Sequence, residues 1–418
     1  MIVFILALIP AAAAAILLRT APRLAFVIWL IVLFFVPVWV GASAGYFFSA
    51  ITAVTLLCIA AGTLRGLRWT SIDSIVLLFA VLIAASFMLG GIEIGHLLTA
   101  FVSWMLPYAW GRMALAGLGR DFITSAIAAV TVIAAVLALI EFLTGVNIFG
   151  LMHWSNTAFD LWSPLQSRGG FVRAEGAFGH SIALGASLSI GSVFVLSARW
   201  HLAVRILSLA TIGGAIVVTF SRIGIVTFVL GLLLAIAFLG KVLAPRIRVL
   251  IAGFAIAGAL AAVPFLSEVF TDAGAEAQNS ALYRIDLLSL VTQMSPVGLS
   301  SEYHVLPDGQ VYIGNFQSID SQLILLGLQL GFIPLVLLLI ALVTSVVFLF
   351  TGRANTALVA LVAQIPALAT VALITQLPYL LWFVAGLGVS LYIEDRFARE
   401  VAAHQFGVTA SKWRMETA

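Results

Sequence analysis

Cysteine is nearly absent. Cys58 is the single one in 418 residues, so no disulfide can form within the chain. Charge is scarce as well: Asp, Glu, Lys and Arg make up 9% of the residues, against about 25% in soluble domains. That is too little to cover a water-facing surface. No glycine-rich phosphate loop, dinucleotide fingerprint or spaced set of metal ligands occurs. Nucleotide-driven and zinc chemistry therefore have no support, and the expectation is an activity with no cofactor, no metal and no nucleic-acid partner. A basic segment ahead of the first apolar block is also lacking. The first basic residues, Arg19 and Arg23, follow that block, so it is expected to be a retained span despite the small residues Ala11–Ala15.

Apolar residues are what the chain has in abundance, at 63%. They come in blocks near the ~20 residues that a helix needs to cross a bilayer. Thirteen can be read: 2–18, 24–40, 46–64, 72–90, 95–115, 122–145, 182–198, 206–221, 223–240, 249–266, 322–350, 356–375 and 378–393. The expected fold class is all-α. The chain reads as a polytopic transmembrane helical protein of about 12–13 spans, with residues 1–418 forming one integral-membrane domain.

Lys and Arg collect in cytoplasmic loops. All but four of the 20 fall in the odd-numbered connections or the C-terminal tail, which makes that side cytoplasmic and puts the C-terminus inside. The cytoplasmic links are short, as is the tail at 394–418. The outer side carries two long loops, 146–181 and 267–321. The second is expected to contain a helix lying on the membrane over 275–294. There Leu282, Ile285, Leu288 and Val291 recur every three residues, and Leu287, Leu290 and Met294 widen the stripe.

The four outer basic residues, Arg168, Arg173, Arg222 and Arg284, oppose that bias. Snorkelling to the headgroups is the ordinary explanation for any one of them. Arg222 fits it worst. It lies in Phe220-Ser221-Arg222-Ile223-Gly224, where Ser221 reads as the N-cap of the ninth block and Arg222 as its first residue. A cation at the positive end of a helix is unfavourable unless an anion such as a phosphate sits there. Arg173 precedes Glu175 and His180 in Arg173-Ala174-Glu175-Gly176-Ala177-Phe178-Gly179-His180. A local salt bridge between Arg173 and Glu175 is the plain alternative to a binding role.

Taken together, from about residue 120 to 390, these pieces resemble the bacterial O-antigen ligase and O-antigen polymerase (Wzy-type) family. The stretch from Arg173 to His180, the turn at 220–224, Tyr283-Arg284-Ile285, Ser295-Pro296-Val297-Gly298 and Asp320-Ser321 with Gly331 carry the likeness. The resemblance implies a glycosyltransferase of the bacterial cytoplasmic membrane, working on its outer face in cell-surface polysaccharide biosynthesis. Its donor would be a polyprenyl-diphosphate-linked glycan and its acceptor a glycan or lipid. Membrane lipids surround it, and a flippase and a chain-length regulator are the partners implied. Arginines matching Arg222 and Arg284 would grip the diphosphate, with Arg173, Glu175, His180, Tyr283 and Ser321 in substrate contact. A ligase of this family has His followed by Asn, Ser or Gln, then nine residues and Gly. Here Asp320 replaces that His, which leans the reading towards a polymerase.

The chemistry also follows from the residues. Cleaving a sugar–diphosphate bond develops negative charge, which two guanidiniums can hold bidentately and so stand in for a metal. The acceptor hydroxyl needs a base. Asp320 is the first candidate and His304 the second, while Asp320 as a helix cap is the structural alternative. Tyr303, Tyr312 and Phe316 either stack on sugars or anchor at the interface. A ligase for finished polysaccharide stays open as an alternative, as does a flippase or transporter, although the spans hold few of the charges that transporters use.

Overall fold

The computed structural model describes residues 15–62, 67–240, 248–249, 253, 287–305 and 311–416, with side chains in the last stretch only as far as 401. Tyr283 and Arg284 lie outside the described residues, and the blocks at 2–18 and 249–266 lie mostly outside them. Every other expected block falls on helix. In chain order these are α1 (Pro22–Phe35), α2 (Ala50–Ala61), α3 (Ser71–Met88) and α4 (Ile94–Thr99), which runs through a π-helical turn into α5 (Leu106–Leu118). Next come α6 (Arg120–Thr144), the short α7 (Thr157–Trp162), α8 (Ser181–Ser197), α9 (Leu202–Val218) and α10 (Arg222–Phe238). The last five are α11 (Gln322–Leu330), α12 (Phe332–Phe350), α13 (Thr356–Val362), α14 (Ile365–Thr370) and α15 (Leu377–Glu416). The tail expected from 394 continues α15 as helix. Three antiparallel hairpins interrupt the helices: β1 (Gly41–Ser43) with β2 (Phe47–Ser49), β3 (Ser167–Arg168) with β4 (Phe171–Val172), and β5 (Tyr303–Val305) with β6 (Val311–Ile313).

The helices are built for lipid. On α6, Ile133, Val136, Ile140 and Leu143 are exposed, and on α12 so are Ile340, Val343, Val347 and Phe350. Steps of three and four residues align each set into one stripe. Leaving four such side chains in water would forgo roughly 6–12 kcal/mol per helix, at ~1.5–3 each. A bilayer removes that penalty, so the chain is a helical membrane protein. Among the described residues, α3, α6, α12 and the Leu377–Val401 part of α15 are long and apolar enough to cross a membrane alone, and six apolar helices are shorter. The eleven blocks that lie wholly or mostly within the described residues thus fall on helix, and four described helices are long enough to cross alone.

At the core, α8 is buried from Ala183 to Leu196. Its Ser, Gly and Ala residues let neighbours approach closely, as small residues do between membrane helices. Gly185 faces Gly224 of α10, where a Cβ on Gly224 would lie 3.2 Å from the Gly185 Cα. At the arginine-rich end, Thr70 and Asp73 form a capping box that starts α3. Asp73 also pairs with Arg112 of α5 at 2.8 Å, and Arg112 reaches Ser390 of α15 at 2.7 Å.

At the opposite end, loop 146–181 lies on the first hairpin. The Trp39 Nε1 donates to Met152 O at 2.9 Å, Asn156 Nδ2 to Trp39 O at 2.8 Å and Trp154 Nε1 to Gly41 O at 2.8 Å. The block expected as one span at 322–350 breaks at Gly331. The turn at 295–298 docks on that break, with Phe332 N donating to Ser295 O at 2.7 Å and Gly298 N to Leu330 O at 2.8 Å. Gly331 has φ +104, and a Cβ there would lie 2.5 Å from the Val297 Cα, so only glycine fits. Of the membrane-surface helix expected at 275–294, the described part is a 3₁₀ turn, Leu288–Gln293. Leu287 and Leu290 are buried, whereas Leu288 and Val291 face outward.

Candidate functional site

The first group of predicted residues gathers on the turn between α9 and α10. Ser221 caps α10 as expected, its Oγ accepting from Gly224 N at 3.1 Å. Arg222 is therefore the first residue of that helix, and its side chain is exposed. The turn is held from the 146–181 loop by two more of the unusual arginines. Arg173 is buried and donates from Nε to Thr219 O at 2.9 Å, while Arg168 Nη1 donates to Phe220 O at 3.3 Å. Ala174 N adds a bond to Val218 O at 3.1 Å. Phe220 adopts φ +48, a conformation that costs a bulky L residue of order 1–3 kcal/mol and persists only where its surroundings enforce it. Here the two arginines hold the carbonyls on either side of that strain, and the Phe220 ring packs between Phe142 and Phe171.

Arg173 and Glu175 do not form the direct salt bridge offered as the plain alternative. Gln166 stands between them: its Oε1 accepts from Arg173 Nη1 at 3.2 Å and its backbone N–H donates to Glu175 Oε1 at 3.2 Å. Glu141, at the end of α6, takes the N–H groups of Glu175 and Gly176 at 3.0 and 2.9 Å. Glu175 is 1% exposed, and its Oε2 has no hydrogen-bond partner. Burial pushes its carboxyl up to about 7, helped by the nearby Glu141. His180 is the N-cap of α8, its Nδ1 accepting from Ile182 N at 3.2 Å. Burial and then the Arg173 charge pull it down to about 4, so it serves as a neutral acceptor at pH 7.

The second group forms around β5 and β6. His304 pairs in register with Tyr312 and its side chain is exposed. Burial raises the Tyr303 phenol above its ordinary range. Ile319 is buried with Leu287, Leu290, Ile313 and Leu328, which ties the hairpin to the segment leading into α11. Asp320 follows Ile319 and is exposed. It is not the cap of α11. That is buried Ser321, whose Oγ accepts from Ile324 N at 3.4 Å, so the capping explanation for Asp320 falls away and Ser321 is occupied structurally.

Between the two groups lies a chamber of about 480 Å³. The Trp162 ring borders it and meets His180 edge-on at 6.0 Å. His96 borders it too and meets Tyr303 at 5.5 Å. Gln322, directly after Asp320-Ser321, closes one side, and Thr375 and Tyr379 line another. Sequence reasoning missed these residues. The nearest signal was the polar pair Thr375-Gln376 inside an otherwise apolar stretch. An apolar groove of about 740 Å³ between α3, α12 and α15 meets the chamber at Trp104, Gln322 and Leu373.

No family model, curated protein or solved structure matches the chain.

Proposed function

We propose that the protein is a membrane glycosyltransferase. In this reading it polymerises or transfers polyprenyl-diphosphate-linked oligosaccharide on the outer face of a bacterial cytoplasmic membrane. The observation that carries the reading is the convergence of Arg168 and Arg173 on the turn that presents Arg222 at the start of α10. Exposed Arg222 at a helix N-terminus, on a strained turn whose carbonyls Arg168 and Arg173 hold, supports a positive site suited to a diphosphate. The family resemblance adds Arg284 as a second clamp.

In the reaction an acceptor hydroxyl attacks the anomeric carbon of the donor, and the carbon–oxygen bond to the diphosphate breaks. The negative charge leaves on the lipid diphosphate, where the arginines stabilise it. The hydroxyl proton passes to a carboxylate, for which exposed Asp320 is the candidate, with His304 as the second. Transfer onto another glycan gives a polymerase, and onto a lipid or protein a ligase. The resemblance, with Asp320 in place of His, favours the polymerase.

The test is to delete the gene in its host and size the lipid-linked glycans. Single repeats on the lipid with long chains lost support the polymerase, while long chains stranded on the carrier indicate the ligase. Repeats confined to the cytoplasmic leaflet point to a flippase and refute the proposal. Complementation with Arg222→Ala is expected to fail and with Arg222→Lys to restore transfer only in part, because lysine lacks the bidentate fork. Full activity of a well-expressed Arg222→Ala protein rules out the clamp. Asp320→Asn is expected to lose most transfer.

A further inference from the structure

The chamber between the two groups differs in chemistry from the arginine turn beside it. Its volume of about 480 Å³ falls in the range of ligand sites, about 300–1,000 Å³. Neither Asp, Glu, Lys nor Arg lines it among the described residues, and His96 is its one basic side chain. Tyr46, Phe47, Trp104, Trp162 and Tyr379 supply aromatic surface. Neutral hydrogen-bonding groups fill the gaps. Gln322 gives its carbonyl to Leu373 N at 2.8 Å, which leaves its amide NH₂ for the chamber. Ser103 donates to the Tyr379 hydroxyl at 3.1 Å, which in turn lies 2.6 Å from Thr52, and this chain fixes the phenol in place.

Two lining groups are left without protein partners: Thr375 Oγ1 and His96 Nδ1. An unsatisfied buried polar atom costs about 1–3 kcal/mol. Thr375 also sits at φ +53, a strained conformation for a β-branched residue. Strain and unmet hydrogen bonds at two residues lining one cavity point to a ligand that repays them.

We infer that this chamber binds uncharged saccharide rings, and that it holds the part of the glycan remote from the diphosphate. The inference takes its ligand class from the glycosyltransferase reading. A pyranose presents C–H faces that pack on aromatic rings and an equatorial edge of hydroxyls that bond to amides and alcohols. Uronate and sialate rings carry a carboxylate, and burying that charge without a cation is strongly unfavourable. The diphosphate is excluded for the same reason and stays at the arginine turn. The neighbouring apolar groove, by contrast, carries Arg353 and Arg396 in its lining. The chamber therefore selects by neutrality: an acidic sugar is refused at this position of the glycan.

The test is saturation-transfer NMR of the full-length protein in lipid nanodiscs, which avoids sugar-headed detergents. The probes are neutral pentasaccharides of glucose and of N-acetylglucosamine, with pentagalacturonate as the charged control. At least one neutral probe is expected to bind in the millimolar range, with pentagalacturonate at least tenfold weaker. Trp162→Ala and Gln329→Leu, both at half-exposed lining positions, are expected each to weaken neutral binding at least fivefold, and Arg222→Ala to leave it unchanged. Failure of every neutral probe, equal binding of pentagalacturonate, or indifference to both lining variants overturns the inference. Loss of cell-surface glycan on gene deletion without neutral binding defeats the chamber alone. Neutral binding that Trp162→Ala removes, in a protein whose deletion leaves glycans intact, defeats the glycosyltransferase reading and leaves the chamber standing.

Discussion

Truncating Arg173 isolates what the brace contributes to the turn that carries Arg222. The side chain is 7% exposed and gives one charge-assisted bond to Thr219 O and another to Gln166 Oε1. Each is worth about 1.5–3 kcal/mol. Alanine removes both and leaves a buried carbonyl next to the strained Phe220, while relief of the buried cation's desolvation returns part of the loss. The net destabilisation expected is about 2–4 kcal/mol. Chains of 150–250 residues lose about 2–4 °C of Tm per kcal/mol, so this longer one should shift by only a few degrees. Activity should suffer more, since a 1 Å misplacement of a binding group can cost about 10²-fold. The assay pairs thermal unfolding in nanodiscs with transfer from a lipid-linked donor. Arg173→Lys should recover stability better than transfer, because one ammonium cannot make both bonds in the same geometry. Wild-type transfer by Arg173→Ala, with the stability loss present, would show that the brace has no part in presenting Arg222.

Two further expectations concern stability. The Glu175 carboxyl has a folded pKa of about 7 against 4.5, so its contribution is present at low pH and is lost as pH rises from about 4.5 through 7, by about 3 kcal/mol at ~1.36 per unit. His180, with a folded pKa of about 4 against 6.5, contributes stability present above 6.5 and lost as pH falls towards 4. The two nearly cancel between about 4.5 and 6.5, so pH-dependent unfolding should be flat there and decline above it. Glu175→Gln should abolish the decline, and a steady fall from pH 5 in the wild type would contradict these assignments. Separately, Arg112→Met should destabilise by about 3–5 kcal/mol by stranding buried Asp73. Adding Asp73→Leu should restore most of that loss in the same unfolding assay, and no recovery would assign the effect to packing instead.

Local features were legible in the sequence, and contacts across long separations were not. Ser221 capping α10 with Arg222 behind it follows from a four-residue pattern, because a cap is made by neighbours in the chain. The blocks at 122–145 and 182–198 are equally local, and both are helices. In contrast, Arg173 bonds to a carbonyl 46 residues away, and no spacing rule reports that. The block at 322–350 reads through the break at Gly331 as one span although Gln329, Gly331 and Pro334 interrupt the apolar run, and the turn at 295–298 docks on it. The left-handed backbone of Thr375 is likewise not reported by its residue type, since a β-branched residue rarely adopts it. The expected stripe through Leu288 and Val291 kept its period, while Leu287 and Leu290 took the contacts with β6 and α11.

The transport alternative turns on buried ionic groups that can change partners, since carriers couple substrate movement to such groups within their spans. The buried ion pair of the described residues is Asp73 with Arg112. Asp73 Oδ1 accepts from Tyr108 at 2.7 Å and from Arg112 Nε at 2.8 Å. Its Oδ2 accepts from the Thr70 N–H and hydroxyl, both at 2.8 Å, and from Arg112 Nη2 at 3.1 Å. Arg112 also donates from Nη1 to Ser390 and from Nη2 to Arg68 O, each at 2.7 Å. Together these bonds cap α3 and tie α3, α5 and α15 at the arginine-rich end, so a proton or ion arriving there finds no vacant lone pair. Cycling this pair would break several charge-assisted bonds at about 1.5–3 kcal/mol each and uncap α3 as well. A latch of that kind suits a rigid frame. Of the unpartnered buried polar groups among the described residues, Thr375 and His96 lie at the chamber and Glu175 in the loop beside it, while Trp110, Ser187 and Gln364 lie among the apolar helices. Under the proposed transferase reading, the substrate would meet the loop-bearing end, above a frame that the Asp73–Arg112 latch holds fixed.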